Sequence, residues 1–166
     1  NIRTGEAEYI QLKDMHEDIQ VVRASSSMPL VSRKVKIGDE YYLDGGIADS
    51  IPIARSIADG NEKNVVIMTK ETGFTRKPES NLAILKARYA KYPKVYERMK
   101  ERDKQYNHTL DYLDEMEKEG KVFIIRPKRK SEVGRVEKDR SKLDALYEEG
   151  YRDAEECYVE LLEYLS

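Results

Sequence analysis

Tryptophan is absent from the 166 residues, phenylalanine and histidine occur twice each, and cysteine occurs once. A single cysteine, Cys157, excludes an intrachain disulfide framework and makes a reducing compartment the default. Set among Glu155, Glu156 and Tyr158 on a helix-like stretch, it reads as a small apolar side chain. His16 and His108 both lie in polar surroundings and read as surface positions rather than acid–base groups. No Cys/His/Asp group has zinc spacing, and Asp39, Asp44 and Asp49 lack the ligand spacing of a calcium loop, so neither metal nor cofactor is expected. No run approaches the ~20 apolar residues of a membrane span and no signal region opens the chain, which makes a cytoplasmic location the expectation. An excess of either charge is also lacking: 30 basic residues face 32 acidic ones, a formal net charge of -2, so a nucleic-acid partner is not expected. There is no repeat, no low-complexity tract and no initiator methionine. The opening "NIRTGEAEYIQL" runs straight into a strand pattern, which suggests a fragment of a longer protein.

What is present is 39% hydrophobic and 37% charged, enough for a real core under a heavily charged surface. Alternation over residues 6–12 predicts a strand, and 14–25 predicts a helix with Met15, Ile19 and Val22 on one side. The serines at 25–27 read as helix-ending turn chemistry. "KVKI" and "EYYLD", joined by Gly38-Asp39, predict a hairpin. A helix with Pro52 in its first turn and Asp49 or Ser50 as cap should run to about Asp59, before the apolar strand "NVVIMT". Strand, helix and strand of these lengths suggest a βαβ crossover. Residues 1–78 are therefore expected to be an α/β core, and residues 79–166 a helical region with one returning strand, "KVFIIRP". In that second portion, helical spacing runs from Leu82 to Tyr92 and resumes after Pro93 as far as Gly120. The basic run "RPKRK" at 126–130 reads as a solvated loop. Leu143, Tyr147, Tyr151, Ala154, Tyr158, Leu161 and Leu165 predict one long amphipathic C-terminal helix. Most of the 12 tyrosines share such spacing with Leu and Met, which suggests core and rim packing with hydroxyls reaching water.

The candidate site is "YYLDGGIADSIPI", residues 41–53. Asp44 leaves a strand and is followed by Gly45 and Gly46. Turn chemistry accounts for such an acid, and so does catalysis, because glycines let a substrate or another backbone come close to a carboxylate at a strand end.

From Ala24 to Thr69 the chain carries A-S-x-x-x-P (Ala24, Ser25, Pro29), a hairpin, D-G-G (Asp44, Gly45, Gly46), then P-x-x-x-S-x-x-x-G (Pro52, Ser56, Gly60) before the strand at Val65. This stretch resembles the second half of a bacterial patatin-like phospholipase. "TGEAEY", "KVFIIRP" and "LYEEGYRDAEE" resemble the same group less specifically. The resemblance implies the C-terminal part of a patatin-like α/β/α hydrolase fold with a helix-rich C-terminal region. It also implies a Ser-Asp dyad that cleaves lipid or ester substrates, with Asp44 as catalytic base, Gly45 and Gly46 as its supporting loop, and transient contact with a membrane surface. The family's glycine-rich oxyanion loop and G-x-S-x-G nucleophile occur nowhere in residues 1–166. The chain alone is therefore expected to be inactive and, with a sheet edge left open, to self-associate. Two readings stand beside this one: a non-catalytic interaction module on the same fold, and phosphate binding at the N-terminus of the helix after Gly46.

Overall fold

Residues 13–18 hold themselves in turns before any helix begins. Asp18 accepts the backbone N–H groups of Lys13 (2.8 Å) and Asp14 (3.3 Å), and the Asp14 carboxylate accepts those of His16 (2.7 Å) and Glu17 (3.0 Å). Such local bonds offer the backbone an alternative to the helical ladder. In the computed structural model, which describes residues 1–134 and 136–166, the helix expected over 14–25 is accordingly shortened to α1, Ile19–Ser25. The serines behave as the turn chemistry suggests: Ser26 Oγ and Ser27 Oγ donate to the carbonyls of Val22 (3.1 Å) and Arg23 (2.7 Å). Residues 6–12 form no strand, because alternation alone supplies no ladder partner. That segment is held by its side chains instead, with Tyr42 donating its hydroxyl to Glu8 at 2.6 Å.

The chain folds into two compact units, Asn1–Pro52 with Arg76–Thr109, and Ile53–Thr75 with Leu110–Ser166, so each unit draws on both sides of residue 78. In the first unit, β1 (Val35–Ile37) and β2 (Glu40–Tyr42) form the expected antiparallel hairpin, with Ile37 opposite Glu40 and Gly38 at φ +59° in the turn. Helix α3 (Leu82–Arg88) and the start of α4 (Pro93–Lys118) follow, parted just ahead of Pro93 as the sequence suggests. Their apolar faces close a core of Ile2, Leu43, Ile47, Leu85, Tyr89, Val95 and Met99. Lys34 lies over the Tyr41 and Tyr92 rings at 4.0 and 4.4 Å and donates to the Tyr92 hydroxyl.

In the second unit, β3 (Asn64–Ile67) pairs in parallel with β4 (Val122–Ile125), Asn64 opposite Val122. The "KVFIIRP" strand thus returns beside "NVVIMT" as expected, but β2 is not in that sheet, so the crossover proposed from β2 through α2 (Ile53–Ala58) to β3 does not form. The two-residue turn gives β2 a partner in β1, and β3 finds its partner only after α3 and α4. Three of the four cations of the basic run pair locally: Arg126 meets Asp114 (3.0 Å) and Glu117 (3.1 Å), Lys128 meets Glu156, and Arg129 meets Glu149 (3.4 Å).

The long C-terminal helix is in fact two, α5 (Arg140–Glu156) and α6 (Tyr158–Leu165), divided at Cys157, whose backbone leaves the helical region (φ -101°, ψ 9°) and whose thiol donates to the Ala154 carbonyl at 3.4 Å. Neither helix contains a fully buried residue, so the core role expected of their tyrosines is not met by Tyr147, Tyr151 and Tyr158, which are all exposed. Tyr164 is the exception. Its ring packs on Phe123, and its hydroxyl accepts the Asn64 N–H (2.9 Å) while donating to the Lys121 carbonyl (3.0 Å), bridging the starts of β3 and β4. Tyr164→Phe leaves both backbone groups without that partner, and chemical denaturation should read a loss of about 1–2 kcal/mol.

Candidate functional site

Asp44 leaves β2 in extended geometry (φ -49°, ψ 129°) and caps the 3-10 turn Gly45–Ile47, its Oδ1 accepting the Gly46 N–H at 2.8 Å. Space at position 46 is tight. A Cβ there would stand 3.0 Å from Asp44 Oδ1 and 3.3 Å from Arg102 Nη2. The Asp44 N–H donates to the Ser27 carbonyl at 2.9 Å, which ties the acid to the end of α1. Among the described residues Asp44 Oδ2 accepts no hydrogen bond, and the carboxylate is half-buried.

Asp44 and Gly45 line a cavity of about 410 Å³ within the first unit, walled mainly by apolar side chains such as Ile10, Leu12, Val22, Ile47 and Val95. A largely apolar cavity with a few convergent polar groups is the usual form of a small-molecule site. Ser25 shares it, 4.0 Å from where a Cβ on Gly45 would stand, but donates no hydrogen bond to Asp44. His16 and His108 are exposed and neither lines the cavity. Among the described residues no group of three or more His, Cys, Asp or Glu could hold a metal ion, and no helix is long and apolar enough to cross a membrane.

Three features of the site escape a reading of 41–53 alone. Arg102, on α4, donates Nε–H to the Gly46 carbonyl at 2.6 Å and so holds the turn from its far side. Its signal was in the spacing: Val95, Met99 and Arg102 fall on one helical face, and a guanidinium on a core-facing stripe must find an acceptor. Tyr9 donates to Asp49, which spends that carboxylate on the cavity rim. Tyr42, also on the rim, donates to Glu8, and this bond, with burial and the charge of Glu8 adding to it, pushes the phenol pKa from 10.0 up to about 12. The same bond holds the Glu8 carboxyl below its ordinary value.

The signs follow. The raised Tyr42 value contributes stability that is present below pH 10 and is lost as pH rises through about 12; the depressed Glu8 value contributes stability that is lost as pH falls through its folded value. A tyrosinate absorbance titration should show one phenol ionising near pH 12, and Tyr42→Phe should remove that late step.

The phosphate reading loses support at the same point. The Gly46 N–H is already taken by Asp44, Pro52 offers no donor, and α2 is a helix of six residues.

Comparison with known proteins divides the chain. No curated protein matches it. Residues 92–166 match a domain of unknown function, DUF6363, a stretch that includes "KVFIIRP" and "LYEEGYRDAEE", so the weaker resemblances noted for those pieces fall outside the patatin-like match. That match starts earlier than the motifs suggest, at residue 10, and stops at 56, short of Gly60 and β3. Residues 10–56, the stretch carrying the serine triplet, the hairpin and Asp44-Gly45-Gly46, are thus similar to the patatin-like phospholipases, a family of lipid hydrolases.

Proposed function

We propose that this chain supplies the carboxylate of a Ser-Asp ester hydrolase acting on lipid acyl esters, as the C-terminal part of a patatin-like α/β/α fold whose serine and oxyanion donors lie outside these 166 residues. The observation that carries this reading is the division of labour within the Asp44 carboxylate. Oδ1 is held by the Gly46 N–H, while Oδ2 accepts no hydrogen bond among the described residues, and Asp44 lines an apolar cavity large enough for part of an acyl chain. A serine hydroxyl placed at Oδ2 gives up its proton as its oxygen attacks the ester carbonyl, and the carboxylic acid so formed returns that proton to the departing alkoxide. A water molecule then repeats the attack on the acyl-serine, with Asp44 again taking and returning the proton. No imidazole is needed, because the base reaches the nucleophile directly.

Hydrolysis of a short-chain p-nitrophenyl ester tests this. The chain alone should give no rate above buffer, and joined to the segment that carries the serine it should turn over with an acyl-enzyme burst. Ser25→Ala should keep the acyl-enzyme burst, since Ser25 makes no bond to Asp44 and stands on no strand-to-helix elbow. Turnover by the chain alone that Ser25→Ala and Asp44→Asn both abolish would move the nucleophile inside it.

The cap at Gly46 also supports a second reading, in which Asp44 only shapes the turn and the unit is a binding module. An assembled rate unaltered by Asp44→Asn would select it.

A further inference from the structure

Tyr147, Tyr151, Ala154, Tyr158, Leu161 and Leu165 repeat at alternating intervals of four and three residues, the spacing of a seam that packs against another helix. In α5 and α6 its large side chains stand mostly open, Tyr147 67% exposed, Tyr151 54%, Tyr158 56% and Leu165 47%, while Ala154 and Leu161 between them are half-buried. The helices are anchored by a different face. Leu146 and Glu149 look toward the 129–133 segment, and Tyr164 rests on Phe123 with ring centroids 5.8 Å apart. At about 100° per residue Leu146 and Tyr164 lie roughly 100° around from the seam, and Glu149 roughly 160°.

Charge indicates what covers it. From 143 to 166 the chain carries eight carboxylates and one cationic side chain, Arg152. Glu149 and Glu156, away from the seam, are already met by Arg129 and Lys128. Glu148 and Glu155 each follow a seam position, flank it, and form no ion pair among the described residues. Such a flank disfavours a second copy laid seam to seam, which would bring like charges together, and it disfavours an anionic membrane surface.

We propose that the α5–α6 seam docks a basic amphipathic helix of another protein. Its apolar residues pack between the tyrosine rings, and its Lys and Arg side chains lie along the ring faces to reach Glu148 and Glu155. The proposal is independent of the reading given to Asp44.

The probe is a labelled three-heptad helical peptide with Leu at the seam positions and Lys elsewhere, paired with a twin in which Glu replaces Lys. Anisotropy titration of the full chain should show salt-sensitive binding of the lysine peptide, weakened at least about ten-fold by Tyr151→Ser with Tyr158→Ser. Glu148→Lys with Glu155→Lys should weaken the lysine peptide and admit the glutamate twin. All four side chains are exposed, so circular dichroism should be unchanged in both variants. Four results would overturn the proposal: no binding of the lysine peptide, equal binding of the twin, binding indifferent to the tyrosine substitutions, or a chain dimer or phosphatidylcholine-vesicle adsorption that those substitutions abolish.

Discussion

Asp44→Asn is expected to lower ester hydrolysis by the serine-bearing assembly by about 10²–10⁴-fold, the usual worth of a positioned general base. The substitution isolates chemistry from structure. Asparagine keeps an oxygen that can accept the Gly46 N–H, so the 3-10 turn and its hold on the cavity rim remain, whereas the amide cannot take the serine proton. The loss should fall on kcat, with KM little changed, because the apolar cavity that would receive the acyl chain is untouched. Asp44→Ala should lose the same activity and also about 1 kcal/mol of stability with the cap. An Asp44→Asn enzyme of unaltered rate, with its fold verified by circular dichroism, would remove the dyad from consideration.

Leu85→Ala should have the largest effect on stability, about 2–5 kcal/mol by urea denaturation. Leu85 is 1% exposed in the cluster formed with Ile2, Leu43, Ile47, Tyr89, Val95 and Met99, so truncation removes buried methyl groups and leaves a void that neighbours on four different segments cannot close together. A domain is stable by about 5–15 kcal/mol, so a loss of this size consumes a large share of that margin. Val31→Ala, at a side chain 77% exposed, is the control and should stay within about 0.5 kcal/mol. Since Leu43 and Ile47 bracket Asp44-Gly45-Gly46, the same truncation should also loosen the turn, and hydrogen exchange at the Gly46 amide is the readout.

The features legible in the residues alone are local ones. Gly38-Asp39 fixed the hairpin and its register, because a two-residue turn leaves strands that short only one way to pair. Pro93 and Gly120 set the limits of α4, because proline disfavours helix before it and glycine releases helix after it. Asp44-Gly45-Gly46 marked the turn where the candidate carboxylate stands. Which strands meet is set by long-range packing. Pairing partners across tens of residues leave no trace in local pattern, so β2 and β3 could not be assigned to separate sheets from their own residues. The same packing decided that residues 6–12 are held by side chains rather than by a ladder, that Arg102 reaches back to Gly46, and that the tyrosines of the α5–α6 seam are left exposed. Periodicity tells which side chains share a face; whether that face is covered depends on what the rest of the chain brings against it.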